Sequence, residues 1–329
     1  MDNVPTDSIP HKDNTSLHNN IHTIKHITEE LKLTTVHSKS VMSLIVLKDK
    51  RIASGSIDGS ISICSLNISE RKWIRSIHKA NAHNNWVCAL CELKDNTIVS
   101  GGADCQVKIW KILNNEIQNI QIISSFTNII NSIITLTKGR FASCSDDKKI
   151  QIWEDVNYQH VVIFDSNIDY YKSLVQPKGK EILVACGYTT YLSFWNIDTY
   201  VNVHNMKGYN VSRPTYMIGL PDGNIALCSK VEQEAIIIIN TSSYEEIKRI
   251  KLENFISKPT TLCVMNEYSF MYARDGIVVQ VSCLDYSILS KLKGSTFDGW
   301  FGGVVLIEDG NYFVTTSRFD LSVLKIEYE

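Results

Sequence analysis

The sequence has no surplus of either charge. In 329 residues, 33 Lys and Arg stand against 35 Asp and Glu, a formal charge of −2. A protein that works by neutralising nucleic-acid phosphates carries a basic excess or stripe, and this chain has neither. It also lacks any run of about 18 apolar residues. Its longest candidate, Ala235 to Ile239, has the length of a single strand. Met1 to Pro10 carry Asp2 and Asp7 but no basic or apolar region, so no secretory signal is expected. Nine cysteines, odd in number and scattered, fit reduced thiols and a cytoplasmic, intracellular location. No glycine-rich phosphate-cradling loop occurs, which leaves nucleotide chemistry unsupported.

What the sequence does have is repetition. Apolar segments end in the turns Leu47-Lys48-Asp49-Lys50, Leu93-Lys94-Asp95-Asn96, Leu136-Thr137-Lys138-Gly139, Pro177-Lys178-Gly179-Lys180, Pro221-Asp222-Gly223-Asn224, Asn266-Glu267 and Glu308-Asp309-Gly310-Asn311. Gly, Asn and Asp tolerate the positive φ of tight turns, so each reads as a β-hairpin connection. A strand of small residues follows each turn, such as Ile52 to Ser56, Ile98 to Gly102 and Phe141 to Ser145. An alternating strand comes next, such as Ser60 to Cys64, Gln106 to Trp110 and Lys149 to Trp153. Further β-rich segments, Trp73 to Ile77 among them, separate the copies. Spacings of about 42 to 46 residues are those of four-stranded propeller blades.

The expected fold is therefore all-β, a seven-bladed β-propeller of four-stranded antiparallel blades. The seventh repeat stops at the C-terminus without its fourth strand. Glu30 to Val36 alternates ahead of the first repeat and is the spare strand expected to close the ring. Closure removes two free sheet edges. Residues 1–26 read as a flexible N-terminal arm, since Asp2 to Asn20 is polar and poor in large apolar residues. Residues 27–329 form the propeller.

Ser100-Gly101-Gly102-Ala103-Asp104-Cys105-Gln106-Val107-Lys108-Ile109-Trp110 resembles a WD (tryptophan–aspartate) repeat. Phe141 to Trp153 matches with Asp147 and Trp153. Ile52 to Ser65 matches with Asp58, although Cys64 replaces the Trp. The fourth repeat keeps Trp195 but has Thr189 in place of Asp, and repeats five to seven resemble the family weakly. The resemblance implies a blade-locking hydrogen-bond set, here His83, Ser100, Asp104 and Trp110, with a second, incomplete set of His37, Ser54 and Asp58. The third repeat has Phe126 at the histidine place, so Asp147 must find another partner or face water.

Other constellations have simpler readings. A His–Ser–Asp set suggests a hydrolase, but the serines fall on strands expected to be buried between blades, away from any oxyanion hole. Cys88 and Cys91 have zinc-knuckle spacing, yet residues three apart on a strand point to opposite faces, and no second pair follows. Cys144, Cys186 and Cys228 recur at the place of Gly55 and Gly101, as small residues where inner strands pack closely. His18, His22 and His26 share a face only if Leu17 to Leu31 is helical, and nothing completes a metal site there. Glu29-Glu30 and Glu245-Glu246 diverge on strands rather than converge as catalytic dyads.

No catalytic residue, cofactor or metal is assigned, and the chain is expected not to be an enzyme. The resemblance implies protein or peptide partners gripped at the loop face and channel mouth. Candidate contacts there are Lys39, Trp86, Tyr170, Tyr171, Tyr188, Arg274, Trp300, Phe301 and Arg318. Trp, Tyr and Arg are the side chains that most often anchor interfaces. The expected role is a scaffold or adaptor. The alternative is a fixed or substrate-recognition subunit of a ubiquitin-ligase, trafficking or ciliary assembly. A propeller enzyme and an RNA binder are less favoured, and no nucleic acid, membrane span or small-molecule substrate is expected.

Overall fold

The computed structural model describes residues 22–34, 36–165, 170–187, 191–207, 216–228, 235–251, 261–274, 277–293, 303–307, 311–317 and 320–329. These residues contain 28 strands in seven antiparallel sheets of four. Blades 1 to 6 are consecutive meanders that begin at Val41, Val87, Ile130, Tyr171, Tyr216 and Thr261. Blade 7 joins Val304–Ile307, Tyr312–Ser317 and Asp320–Tyr328 to the N-terminal strand Ile24–Leu33. Strands are lettered a to d in each blade, in meander order. Strand a of every blade abuts strand a of the next, and that of blade 7 abuts that of blade 1, so the ring is closed.

Alternation along the strands gives each blade two faces, and each face meets a neighbour. Seven apolar clusters result, one at each blade interface. Between blades 2 and 3, Val107 and Ile109 pack with Ile130, Phe141 and Trp153. Fully burying one such aliphatic side chain is worth about 1.5–3 kcal/mol. The inner strands are close enough that size is critical. A Cβ on Gly55 would lie 2.5 Å from Val87 Cγ1, and one on Gly101 would lie 2.5 Å from Ile130 Cγ2. Cys144, Cys186 and Cys228 occupy the corresponding register in blades 3 to 5, all fully buried.

The closing strand is shifted from its expected position. It spans Ile24–Leu33, not Glu30 to Val36, and pairs from Ile24 with Tyr328 to Leu33 with Leu321. Two register irregularities, between Ile24 and His26 and between Glu29 and Leu31, break the simple alternation that a reading by period 2 relies on. Val36 is buried beyond the strand, in the blade 7–blade 1 cluster. The strand also starts before residue 27 and covers His26, so a helix from Leu17 to Leu31 is excluded over that part. Residues 1–21 lie outside the described residues.

The strand's start is fixed by a buried amide. Gln280 of blade 6 accepts from the Ile24 N–H at 2.9 Å and donates to the His22 carbonyl at 2.9 Å. Glu29 accepts from Ser322 (2.8 Å), while Glu30 pairs with Arg71 (3.0 Å), so these neighbouring acids do diverge. Ile24 is 2% exposed in the blade 6–blade 7 cluster. Ile24→Ala is expected to cost about 2–5 kcal/mol in urea unfolding. Deleting residues 1–33 should lower the melting temperature and produce concentration-dependent association through the bared strand. Unchanged melting of the truncated chain would show that closure does not support the ring.

Candidate functional site

The meander places all b–c and d–a connections at one end of the ring, here the loop end. The a–b and c–d turns lie at the other, the turn end. At the loop end of blade 2, four side chains form one line. Trp110 Nε1–H donates to Ser100 Oγ (2.7 Å), Ser100 Oγ lies 2.6 Å from His83 Nε2, and His83 Nδ1 lies 2.8 Å from Asp104 Oδ1. A single proton arrangement satisfies every member: Ser100 donates to Nε2 and Nδ1–H donates to the carboxylate. The imidazole is then neutral. Burial holds its pKa below the ordinary 6.5 despite Asp104, and nearby Lys108 adds to this. Lys108 lies 3.7 Å from Asp104 and donates to the Ala82 carbonyl at 2.8 Å. Burial works against ionisation of Asp104, but the His83 hydrogen bond and the Asn84 amide outweigh it and hold this carboxyl below its usual range.

Blade 1 builds the set differently. His37 Nε2 lies 2.8 Å from Ser54 Oγ, but Asp58 is 3.7 Å from the ring. Ser60 bridges the gap, 2.7 Å from His37 Nδ1 and donating to Asp58 Oδ1 at 2.5 Å. Burial opposes ionisation of Asp58 as well, yet the Ser60 hydroxyl and the Ser60 and Ser38 amides hold its carboxyl far below the usual range.

The aspartate does not depend on the histidine. In blades 1, 2 and 3 its one oxygen accepts the amide two residues on, from Ser60, Gln106 and Lys149. Its other oxygen accepts an amide 20 residues back, from Ser38, Asn84 and Thr127. Asp147 thus finds backbone partners although Phe126 stands at the histidine place. The member left over in blade 3 is Ser143, whose buried hydroxyl has no partner. Ser54 and Ser100 are themselves fully buried, so neither hydroxyl is open to a substrate. These lines serve as locks, not as accessible nucleophiles.

The turn end carries a signal that the sequence reading passed over. Tyr158, Tyr200, Tyr244 and Tyr286 recur at intervals of 42 to 44 residues, all at a left-handed φ of 57–59° in c–d turns. Each packs into the apolar cluster between its own blade and the one before. Arg140 lies over the Tyr200 ring at 5.9 Å and donates to its hydroxyl at 3.1 Å. Tyr244 stacks on His204 at 4.5 Å. Tyr286 donates to Asp222 and accepts from Asn224 at 2.8 Å. A tyrosine every 42 to 44 residues was visible in the chain, but tyrosine is rare at left-handed φ and so gives no turn signal.

The expected loop-end contacts fare unevenly. Lys39 is exposed. Trp86 and Tyr170 are 41% and 45% exposed. Tyr171 is 1% exposed in the blade 3–blade 4 cluster and leaves the set, because strand alternation turns it inward while its neighbour turns out. Arg274 ends strand b of blade 6, and its side chain is outside what is described. Tyr188, Trp300, Phe301 and Arg318 lie outside the described residues, as does Thr189. Among the described residues, no three His, Cys, Asp or Glu side chains converge as a metal site. Burial pushes the Cys88 thiol up to about 12 and the Cys91 thiol also upward, which suits unreactive thiols, Cys88 half-buried and Cys91 in the core. No helix among the described residues is long and apolar enough to cross a membrane.

Two comparisons bear on this geometry. The family model described as WD domain, G-beta repeat matches residues 74–111 and 118–154. Each match starts on strand d of one blade and runs through strands a to c of the next. No curated protein matches the sequence. Strands a to c of blade 1, with the Ser60 bridge and Cys64 in place of Trp, are outside the matched segments, as are blades 4 to 7.

Ser100→Ala should cost roughly 2–4 kcal/mol, since it strands both the imidazole and the indole N–H. Ser143→Ala, at the same register in blade 3, should shift stability by less than about 0.5 kcal/mol. Urea denaturation of the two variants distinguishes a lock from a common serine preference. The sign of the pH dependence follows from His83. Its folded pKa lies below 6.5, so its contribution is complete above 6.5. It is lost as pH falls through the folded value, because the unfolded chain takes the proton first. Below about 3.8, stability contributed by Asp58 and Asp104 is lost as pH falls through their depressed folded values. Midpoints measured from pH 8 to pH 1.5 should therefore show two successive declines, the first absent in His83→Gln.

Proposed function

We propose that this seven-bladed propeller, with WD repeats in its second and third blades, is a non-enzymatic scaffold or adaptor that presents its loop end to partner proteins. WD-repeat propellers generally mediate protein–protein interaction, and that is the coarse reading which the family match and the ring carry. The observation that supports the finer one is the pair Trp86 and Tyr170. Each is the residue just before strand a of its blade, and each is more than two-fifths exposed. Trp86 is held from behind, since its carbonyl accepts the Ala103 amide at 2.9 Å and its amide donates to Asn85 at 2.8 Å. Lys148 Nζ sits 5.3 Å from the Tyr170 ring centroid. Rigid, exposed aromatic rings with a neighbouring cation give large contact area at small entropic cost.

The mechanism is display. Interlocked blades hold the loops in fixed relative positions, so a partner meets a prearranged surface rather than one it must order. Affinity purification with wild type beside a Trp86→Ala/Tyr170→Ala variant tests this. Recovery of stoichiometric partners should fall at least tenfold, with the melting temperature unchanged because both side chains face solvent. Equal recovery by the folded variant would remove the loop end as the binding surface.

A further inference from the structure

Trp86 and Tyr170 belong to an arc around the inner strands. The amides of Ile57, Ala103 and Asp146 donate to the carbonyls of Ser40, Trp86 and Ile129 at 2.9, 2.9 and 3.0 Å. This shared bond marks the three acceptors as equivalent, each the residue just before strand a or directly at its entry. Tyr170 holds the same place ahead of strand a in blade 4. Strands a of blades 2, 3 and 4 abut in turn, so Trp86, half-buried Ile129 and Tyr170 follow one another along the loop end.

The charges around this arc are sorted by depth. Its carboxylates are sunk and used by the fold. Asp58 and Asp147 accept a backbone amide on each oxygen. Asp104 takes His83 on one oxygen and the Asn84 amide on the other. Asp146 pairs with Lys172 at 2.7 Å and accepts from Asn131 at 2.8 Å. The side chains of Asp58, Asp104 and Asp146 are only 12%, 7% and 13% exposed. Asp165, on the outer strand of blade 3, stands opposite Lys149 in the pairing register.

Three lysines are not used in this way. Lys39 and Lys79 are exposed and Lys148 is half-buried. None of the three has an acidic partner among the described residues. Lys39 is held in place, since its carbonyl accepts the Ser56 hydroxyl at 3.0 Å. Lys148 Nζ lies beside the Tyr170 ring. What an approaching molecule meets is therefore an apolar arc bordered by uncommitted cations, with the negative charges set behind it. Complementarity of this kind selects partners by sign and steers their approach.

We propose that the loop end of blades 1 to 4 takes an acidic polypeptide segment, with an apolar side chain against Trp86, Ile129 and Tyr170 and flanking carboxylates toward Lys39, Lys79 and Lys148. This rests on the loop-end reading and adds to it the chemistry of the partner. Aromatic rings and lysines also suit single-stranded nucleic acid. Ile129 in the middle of the arc offers no stacking face, and a net charge of −2 gives little attraction to a phosphate chain, so a polypeptide is favoured.

Fluorescence anisotropy of the full chain tests this with four labelled probes. They are the peptides Glu-Asp-Leu-Leu-Asp-Glu, Gln-Asn-Leu-Leu-Asn-Gln and Glu-Asp-Ser-Ser-Asp-Glu, and hexauridylate. The first should bind at least tenfold more tightly than each of the others, and its affinity should fall as sodium chloride is raised. Lys39→Gln/Lys148→Gln should weaken it at least tenfold at an unchanged melting temperature. If that variant does not fold, Lys39→Gln/Lys79→Gln, which alters exposed side chains alone, should still weaken it at least threefold. No binding of any probe, equal binding of the first two peptides, tighter binding of hexauridylate, or full binding by a folded lysine variant would each overturn the proposal. Preference for the neutral leucine peptide, abolished by Trp86→Ala/Tyr170→Ala, would overturn it while leaving the loop-end reading in place. Peptide binding untouched by Trp86→Ala/Tyr170→Ala would overturn both.

Discussion

Everything in this molecule depends on a chain that must find its own beginning. Six blades are local meanders, each able to form from neighbouring sequence, but the seventh needs Ile24–Leu33 to cross to Asp320–Tyr328. Until that pairing forms, blade 7 lacks its outer strand, and the apolar faces between blades 6 and 7 lack Ile24. The contacts that reward closure are hence the most non-local in the chain, and their loop-closure entropy is met only when the whole ring is present. Gln280 ties the strand to blade 6 as well as to blade 7, so closure and blade packing reinforce each other.

Much of this was legible in the sequence because a propeller repeats its constraints. The a–b turns, the small residues of strand b and the Trp of strand c mark their positions again and again, and strand b at Ile52–Ser56 falls where the pattern puts it. What escaped was whatever departs from period. The closing strand has two register irregularities, so its apolar residues do not alternate. Ser60 enters the blade 1 lock by inserting between a histidine and an aspartate that spacing alone would join directly. Tyr171 looked like its neighbour Tyr170 because the chain records composition but not which of two adjacent side chains the sheet turns inward.

The two ends of the ring are stitched by different chemistry. Blades 1 and 2 carry histidine lines at the loop end, while blades 3 to 6 carry a tyrosine in each c–d turn. Blade 3 marks the change. It retains the aspartate clamp and the tryptophan, fills the histidine place with Phe126 beside Trp153, and adds Tyr158 below. Weak resemblance in the later repeats is therefore not a weaker ring, since each interface still has its own apolar cluster and its own polar fastening.

The pairing of Ile24 with Tyr328 has a mechanical side. Both ends of the seam emerge together, and its strands run antiparallel, so tension applied between them loads the hydrogen bonds one rung at a time. Such a seam peels like a zipper instead of resisting in shear. A pull on two tethers there would unfasten the ring at low force, whereas the same pull between loops of distant blades would be shared among many interfaces.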